Sequence, residues 1–176
     1  MDTARAKLLS EFRWKGGHAD VWRLFVDGSV LSAIVAGLAE PWHESGITHV
    51  IGIESRGFLL GSAVAVSLGA GFQAVRKEGG MLPGPKVSVE SEPDYLARRH
   101  LLRMQSVLKP GDVVLFVDDW AERGSQADSA RKLVQMCGAQ FAGASVLVDQ
   151  LDFRSRGRLG RVTSLVNATE LGDPDA

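Results

Sequence analysis

Short apolar runs, each followed by charged residues and a helix-like segment, constrain the fold most strongly. The sequence HVIGI spans residues 49–53, and VVLFV spans residues 113–117. Both runs lack the apolar–polar alternation of a half-exposed strand, and such runs are typical of strands buried on both faces of a sheet. Strands that alternate with helices favour right-handed crossovers between parallel strands. The sequence therefore predicts an α/β fold, with a parallel central sheet flanked by helices.

Hydrophobic periodicity predicts the other elements. Helices are expected over residues 3–12, 31–38, 57–68 and 127–137, and further strands over residues 72–75, 144–148 and 162–166. The segment between Lys77 and Leu101 fits neither period and contains three of the six prolines. A long segment of this kind inside a compact domain is usually a lid or a disordered insert, so we expect a loop there.

Length, charge and cysteine content limit the class of protein. A chain of 176 residues is long enough for one domain with a sizeable core. Its net charge of −1 does not favour a nucleic-acid or membrane surface. The single cysteine, Cys137, and a first helix without a signal-peptide apolar block fit a reducing cytoplasm. The uncharged stretch 57–75 approaches a membrane span in length, but Gly69 and Gly71 favour a helix, a turn and a strand.

Polar side chains follow three of the predicted strands at the point where each strand ends. They are Glu54, Ser55 and Arg56 after the first strand, Arg76 and Lys77 after the second, and Asp118 and Asp119 after the third. Parallel α/β sheets bind ligands beyond the carboxyl ends of their strands. The three sets of side chains therefore predict a ligand site at one edge of the sheet.

The loop after the paired aspartates has the residues of a phosphate site. A helix N-terminus offers free N–H groups and a partial positive charge, and Gly124 lets the backbone approach a ligand closely. Ser125 and Gln126 add donors, and Arg123 adds charge. Two adjacent carboxylates can accept hydrogen bonds from a ribose diol and help to hold hydrated Mg²⁺. From this loop alone, a capped turn without a ligand remains the alternative.

Two nucleotide-binding motifs are excluded, the first because its residues are missing and the second because of its position relative to a strand. A P-loop needs a Gly-Lys pair within G-x-x-x-x-G-K-[ST], and the chain contains no such pair. The sequence GAGFQA at residues 69–74 matches a dinucleotide-binding pattern by letter. It precedes a predicted strand, however, whereas the dinucleotide motif follows one.

Taken together, these stretches resemble the type I phosphoribosyltransferases, and most of all the adenine phosphoribosyltransferases. The matching segments are ESRGFLLG (54–61), VRKEGGMLPGP (75–85), DY (94–95) and VVLFVDDWAERGSQ (113–126), with weaker agreement at DVWRLF (20–25). The resemblance implies a single domain over residues 1–176, with a hood formed by residues 1–28 and 78–104 and a mobile loop within it. It also implies phosphoribosyl transfer from phosphoribosyl pyrophosphate to a purine, with Mg²⁺ as cofactor and a homodimer as the assembly.

The resemblance also assigns roles to residues of this sequence. It places pyrophosphate at Glu54, Ser55, Arg56, Arg76 and Lys77, and the base at Val21, Trp22 and Arg23. It places ribose 5-phosphate at Asp118, Asp119, Ala121, Glu122, Arg123, Gly124, Ser125 and Gln126. The catalytic residues would be Asp94, Tyr95, Asp118 and Asp119. Mg²⁺ would bind through the substrate, with Asp118 and Asp119 as candidate ligands.

The chain departs from the family pattern in the phosphate loop. The family usually has Ala-Thr-Gly-Gly-Thr where this sequence has Glu122–Arg123–Gly124–Ser125–Gln126. Backbone donors survive such changes, but Glu122 brings negative charge towards an anion site. Two alternatives therefore stay open: a non-catalytic or regulatory protein that binds a phosphoribosyl ligand, and a transferase with a non-purine acceptor.

A basic run at residues 154–161, RSRGRLGR, suggests nucleic-acid binding at first sight. The chain is nearly neutral, and no aromatic residues are interleaved with these arginines. We expect a solvated loop or a subunit contact at this run, and no nucleic-acid partner.

Overall fold

The structure, a computed structural model, describes residues 1–92 and 99–173. The helices are α1 (Asp2–Glu11), α2 (Gly28–Ala39), α3 (Arg56–Leu68), α4 (Ser125–Met136) and α5 (Phe153–Leu159). The strands are β1 (Trp14–Lys15), β2 (His18–Ala19), β3 (His49–Ile53), β4 (Gly71–Lys77), β5 (Lys86–Glu90), β6 (Leu101–Gln105), β7 (Val113–Ala121), β8 (Gln140–Asp149) and β9 (Val162–Asn167). Strands β1 and β2 form a small separate hairpin.

A mostly parallel sheet forms the centre of the molecule. Within the described part of the chain it has seven strands, in the order β5-β6-β4-β3-β7-β8-β9. Strands β4, β3, β7, β8 and β9 are parallel to one another. Because β3, β4 and β7 are adjacent and parallel, their carboxyl ends meet at one edge. The α/β fold with a parallel central sheet is confirmed.

Both faces of the sheet are buried, as the unbroken apolar runs predict. Val50, Leu115 and Val117 pack on the face covered by α1, α2 and α3. Ile51 and Phe116 pack on the opposite face with residues of α4. Neighbouring residues of a strand point to opposite faces, so a strand that is apolar at every position needs helices on both sides.

The prediction of a loop between Lys77 and Leu101 is wrong for part of this segment. Residues Lys86–Glu90 form β5, which pairs antiparallel with β6 and extends the main sheet. Val87 and Val89 are half-buried and their neighbours in β5 are exposed, whereas β6 buries Leu102 and Met104. KVSVE therefore carries the two-residue alternation of an edge strand, although the surrounding prolines obscure it. Residues 93–98 of the predicted loop lie outside the described residues.

The basic run 154–161 is also not a loop throughout, because α5 occupies most of it. The carboxylate of Asp152 accepts a hydrogen bond from the backbone N–H of Ser155 and caps the helix. Arg156 forms an ion pair with the buried Asp149 at the end of β8. The guanidinium of Arg161 lies 4.2 Å from the ring centroid of Trp42. Two arginines of the run are thus held against the protein.

The uncharged stretch 57–75 divides between α3 and β4, as predicted. Gly69 ends α3 with a φ of 66°, a left-handed conformation that glycine adopts without strain. Among the described residues, no helix has the length and apolar character needed to cross a membrane.

Candidate active site

A cavity of about 660 Å³ opens at the carboxyl ends of β3, β4 and β7. Its walls come from the β1–β2 hairpin, from residues 54–56 and 118–127, and from Lys77 and Gln150. The predicted residues that line it are Val21, Glu54, Ser55, Arg56, Lys77, Asp118, Asp119, Ala121, Glu122, Arg123, Gly124, Ser125 and Gln126. The structure thus brings most of the predicted phosphate, ribose and pyrophosphate residues into one cavity.

Close packing of α3 against the sheet fixes one wall of the cavity. A Cβ atom on Gly52 would lie 2.0 Å from the carbonyl oxygen of Gly57, and one on Gly57 would lie 3.1 Å from Oδ1 of Asp118. Glycine at both positions therefore lets the first turn of α3 rest directly on β3 and β7. The N-terminus of α3, with its unpaired N–H groups, is held beside the aspartates.

The paired aspartates form a buried acidic group that lies beside Arg56. Asp118 and Asp119 are 8% and 6% exposed, and both lie within β7 rather than in the loop after it. Oδ2 of Asp119 is 3.0 Å from Nε of Arg56. The backbone N–H of Asp119 donates to Oδ1 of Asp118 at 2.9 Å. The ion pair ties the start of α3 to the end of β7.

Burial raises the pKa of Asp118 well above the usual aspartate range, and the charge of Asp119 raises it further. The Arg56 guanidinium lowers this pKa, but its effect is smaller than that of burial. Among the described residues, two adjacent buried carboxyl groups with one ion pair, to Arg56, are an unfavourable arrangement for stability alone. Such arrangements concentrate at functional sites.

The donor set of this pair fits Mg²⁺ only with help from a ligand. Oδ2 of Asp119 is buried and makes no hydrogen bond with any described residue, although it lies beside Arg56. Carboxylate oxygens are the ligands that Mg²⁺ prefers. Across residues 1–92 and 99–173, however, no group of three or more His, Cys, Asp or Glu side chains is placed to hold a metal ion. Substrate oxygens and water would have to complete the coordination sphere.

Glu54 uses its carboxylate to join the ends of two strands. Oε1 accepts a hydrogen bond from the backbone N–H of Lys77 at 2.6 Å, and Oε2 accepts one from Nε of Arg76 at 3.1 Å. The peptide bond between Glu54 and Ser55 is cis. Arg76 also donates to the carbonyl oxygen of Met81 and does not line the cavity, whereas Lys77 does.

The loop before α4 turns sharply at Gly124, which has a φ of 71° and caps the helix. A Cβ atom there would lie 3.0 Å from Cδ2 of Leu151, so glycine is required both by conformation and by space. The first N–H groups of α4 have no acceptor within the helix. Ser125 and Gln126 at its start line the cavity together with the exposed Arg123. This geometry is that of an anion site.

Of the residues predicted to bind the base, Val21 lines the cavity, whereas Trp22 and Arg23 do not. Val21 is buried and lines the cavity. Trp22 is 50% exposed and packs against Phe25 with ring centroids 5.8 Å apart. Nη2 of Arg23 is 3.6 Å from Oε2 of Glu11. Neither Trp22 nor Arg23 lines the cavity, and their assignment to the base stays a prediction.

Other functional candidates became visible only in the structure. Trp14, Trp120 and Gln150 line the cavity from three separate segments of the chain. Trp120 could have been found from its position one residue after the acidic pair. Gln150 could have been found because it follows β8, a strand that the sequence predicted, whereas no sequence signal marked Trp14. The predicted catalytic residues Asp94 and Tyr95 lie outside the described residues.

Comparison with known proteins relates the whole chain to one family, although no family model matches it. The adenine phosphoribosyltransferase of Clostridium perfringens is 35% identical over 166 residues, which cover 93% of this chain and 95% of that protein. The same enzyme of Yersinia enterocolitica is 36% identical over 140 residues, 80% of this chain and 74% of that protein.

Solved structures agree with the sequence comparison. The adenine phosphoribosyltransferase of Rhodothermus marinus superposes with a TM-score of 0.83 at 29% identity, covering 95% of this chain and 99% of that one. The Giardia lamblia enzyme, solved with 9-deazaadenine, gives a TM-score of 0.82 at 28% identity, covering 93% and 97%. The resemblance inferred from the motifs is confirmed. At this identity and coverage, the chain belongs to the adenine phosphoribosyltransferase family.

Proposed function

We propose that this protein is an enzyme of purine salvage that transfers the phosphoribosyl group of phosphoribosyl pyrophosphate to adenine. The products are adenosine 5′-monophosphate (AMP) and pyrophosphate. One observation carries the proposal: the buried Asp118–Asp119 pair, linked to Arg56, lies between the N-termini of α3 and α4 in a single cavity. Two anion-binding helix ends on either side of a diol-binding acid pair match the two charged ends of phosphoribosyl pyrophosphate.

The pyrophosphate end of the substrate fits the wall formed by α3 and β4. Arg56, Ser55 and Lys77 supply cationic and polar groups there, and the helix N-terminus adds its partial positive charge. Glu54 and Arg76 act mainly through their contacts with each other and with Lys77. Negative charge that develops on the departing pyrophosphate is stabilised by these groups.

The ribose 5-phosphate end fits the loop before α4. Backbone N–H groups around Gly124 and Ser125 bind the phosphate, and Arg123 adds charge at the rim of the cavity. Asp118 and Asp119 accept hydrogen bonds from the ribose hydroxyl groups and stabilise positive charge on the sugar as the C1–pyrophosphate bond breaks. Glu122 also lines this part of the cavity, and the proposal requires its carboxylate to point away from the phosphate.

Mg²⁺ would be held by substrate oxygens, with Asp118 and Asp119 as the candidate protein ligands. When bound, it neutralises charge on the pyrophosphate leaving group. Asp94 remains our candidate for exchanging a proton with the purine. On the basis of the family resemblance, we also propose a cytoplasmic location and a homodimer.

A substrate panel tests the proposal directly. The purified protein is incubated with phosphoribosyl pyrophosphate, Mg²⁺ and, in turn, adenine, guanine, hypoxanthine, xanthine and uracil. We expect consumption of adenine with equal amounts of AMP and pyrophosphate, and loss of at least about a hundredfold in kcat for Asp119→Asn. Binding of ribose 5-phosphate without consumption of any base would instead favour a regulatory protein. Consumption of uracil alone would favour a non-purine acceptor.

A further inference from the structure

The connection between β4 and β5 crosses the sheet without a helix. Strands β4 and β5 both pair antiparallel with β6, which lies between them, so they run in the same direction. Parallel strands are usually joined by a crossover of a dozen or more residues that contains a helix. Here residues 78–85 alone return the chain from Lys77, opposite Leu102, to Lys86, opposite Gln105. We call residues 78–85 the crossover segment.

Three side chains of β4 and β6 bind the backbone of the crossover segment. Each donates a hydrogen bond to a different carbonyl oxygen: Arg76 to Met81 at 3.3 Å, Arg103 to Gly80 at 3.3 Å, and Gln105 to Pro83 at 3.0 Å. Arg76 lies directly opposite Arg103 in the ladder, and Gln105 is two residues further along β6, so the three donors share one face of the sheet. The segment therefore obtains partners for its carbonyl groups from long side chains rather than from a strand or helix.

The crossover segment begins directly after Lys77, which lines the cavity. The backbone N–H of Lys77 donates to Oε1 of Glu54 at 2.6 Å, and its carbonyl oxygen accepts from the backbone N–H of Gly80 at 3.1 Å. A Cβ atom on Gly80 would lie 2.5 Å from Nε of Arg76, so the segment lies directly against that guanidinium. The position of the Lys77 backbone therefore depends on the position of the crossover segment.

Arg103 is an unfavourable residue for stability alone. It lies directly opposite Arg76, and like charges at opposite positions of a ladder repel each other. Nη2 of Arg76 is 3.0 Å from Oε2 of Glu54, whereas Arg103 forms no ion pair with any described carboxylate. Nε of Arg103 is buried and makes no hydrogen bond with the described part of the chain. The contact that Arg103 adds is its hydrogen bond to the crossover segment.

We propose that Arg103 and Gln105 are positioning residues for Lys77. By fixing the crossover segment, they keep the Lys77 ammonium group at the pyrophosphate end of the cavity. Neither side chain is among the described residues that line the cavity, so both act through the segment. Preorganisation of a binding group reduces the entropy lost when the ligand binds. The inference rests on the proposed function, because it concerns the affinity for phosphoribosyl pyrophosphate.

Steady-state kinetics of two variants tests the proposal. Arg103→Met removes the donor to Gly80, and Gln105→Leu removes the donor to Pro83. We expect each to raise KM for phosphoribosyl pyrophosphate about fivefold and to leave KM for adenine unchanged. Because glutamine carries no charge, a rise in Gln105→Leu cannot come from a lost charge. Wild-type KM values in both variants would overturn the inference.

Lys86→Met is the matched control. Lys86 is exposed and lies opposite Gln105 in the β5–β6 ladder. Its replacement removes a positive charge from the same face but none of the three hydrogen bonds, so we expect both KM values of the wild type. If KM for phosphoribosyl pyrophosphate rose in Arg103→Met and Lys86→Met but not in Gln105→Leu, charge and not position would be responsible, and the inference would be wrong.

Two measurements besides activity separate positioning from a role in stability. Arg103→Met removes a like-charge pair and a buried unpaired N–H, so we expect its urea midpoint to be no lower than that of the wild type. Hydrogen exchange should be faster in the peptide that contains residues 78–85 and unchanged in β6. A lower midpoint together with an equal rise in both KM values would mean that Arg103 only supports the sheet. If Arg103→Met does not fold, Gln105→Leu decides the question.

A double-mutant cycle tests whether Arg103 acts through Lys77. Lys77→Ala should itself raise KM for phosphoribosyl pyrophosphate. Adding Arg103→Met to Lys77→Ala should then raise this KM by less than about twofold, because the ammonium group that Arg103 positions is already gone. Two effects that multiply in full would contradict the proposed route.

The possible failures can be told apart. If the wild type neither consumes adenine nor binds pyrophosphate, the proposed function and this inference fall together. If adenine is consumed, but Arg103→Met and Gln105→Leu keep the wild-type KM for phosphoribosyl pyrophosphate, only this inference falls.

Discussion

At the scale of single residues, Glu54 has a less direct role than its place in the motif suggests. Its carboxylate lies at the cavity wall, but both oxygens are engaged by β4, through the N–H of Lys77 and the guanidinium of Arg76. A carboxylate would repel pyrophosphate if it were free. Because it is paired in this way, we propose that Glu54 acts by orienting the cationic end of β4.

We therefore expect Glu54→Gln to raise KM for phosphoribosyl pyrophosphate about tenfold and to leave KM for adenine unchanged. Glutamine can accept only one of the two hydrogen bonds, and its NH₂ group would face a donor of Arg76 or Lys77. Steady-state kinetics with each substrate varied in turn measures this. Glu40→Gln, which alters an exposed ion pair at the chain terminus, is the control. An equal rise in both KM values would mean that Glu54 supports the whole cavity.

Most of the site residues that the sequence predicted lie at the carboxyl ends of strands or directly after them. Asp118, Asp119 and Arg56 could be placed together because adjacent parallel strands bring their carboxyl ends to one edge, whatever the details of packing. Gln150 directly follows β8, which is parallel to β7, so the same rule could have placed it. Trp14 could not be placed in this way, because it comes from a two-residue strand and only the docking of the hairpin brings it to the cavity.

At the scale of elements, the packing of α3 on the sheet depends on Gly57. We expect Gly57→Ala to reduce the free energy of unfolding by about 1–3 kcal/mol and to lower kcat, because the new methyl group meets Oδ1 of Asp118 and the backbone of Gly52. Gly157→Ala is the matched control. A Cβ atom on that glycine, which lies in α5, would have no other atom within 4 Å, so alanine should stabilise the helix by about 0.5–1 kcal/mol. Urea unfolding measures the free energy of unfolding of both variants. A Gly57→Ala variant as stable as the wild type would contradict the expectation.

Helix α4 carries a charge cluster around the buried Asp128 in its first turns. Nη2 of Arg131 is 2.7 Å from Oδ1 of Asp128, and Nζ of Lys132 is 3.0 Å from Oδ2. Burial alone would raise the pKa of Asp128, but the hydrogen bonds from Arg131 and Lys132 outweigh it, and the pKa is lowered. The ionised form is therefore favoured by folding. The contribution of ionised Asp128 to the free energy of unfolding is complete above the usual aspartate pKa. It is lost as the pH falls through the lowered pKa of Asp128 in the folded protein.

Accordingly, we expect Asp128→Asn to reduce the free energy of unfolding by about 1–2 kcal/mol at pH 7. The difference from the wild type should be the same at pH 6 and should shrink below about pH 4, where the carboxylate of the wild type begins to be protonated. Urea unfolding across this pH range measures it. If the difference in the free energy of unfolding between Asp128→Asn and the wild type were equally large at pH 2.5, the shape of the Asp128 side chain, and not its charge, would account for the stabilisation.

The elements that the sequence missed are those whose stability comes from tertiary contacts. Strand β5 has an alternating pattern but lies among prolines and glycines, and pairing with β6 is what makes it a strand. Helix α5 has seven residues, too few for an isolated helix to be stable in water. The Asp152 cap and the Arg156–Asp149 ion pair stabilise α5, which its intrinsic helix propensity alone would not keep folded.

At the scale of the whole molecule, the burial of both sheet faces explains why the fold was predictable, whereas part of the cavity lining was not. Apolar runs in β3 and β7 require helices on both sides, and this requirement fixes the order of layers without any knowledge of side-chain contacts. The cavity, by contrast, is completed by the β1–β2 hairpin and the loop after β8, which are far apart in the sequence. Ligand binding should therefore stabilise contacts between distant parts of the sequence.

We expect this coupling to appear as thermal stabilisation by ligands. At a hundred times its Kd, AMP should raise the free energy of unfolding by about 2.7 kcal/mol, provided that it binds only the folded state. For a domain of this size that corresponds to a rise in Tm of about 5–10 °C. In Arg56→Ala, we expect the increment produced by pyrophosphate to be lost and the increment produced by ribose 5-phosphate to fall much less, because Arg56 is proposed to bind pyrophosphate and touches the ribose site only through its ion pair with Asp119. Differential scanning calorimetry at fixed protein concentration measures both shifts, and equal losses for the two ligands would mean that Arg56 does not mark the pyrophosphate end.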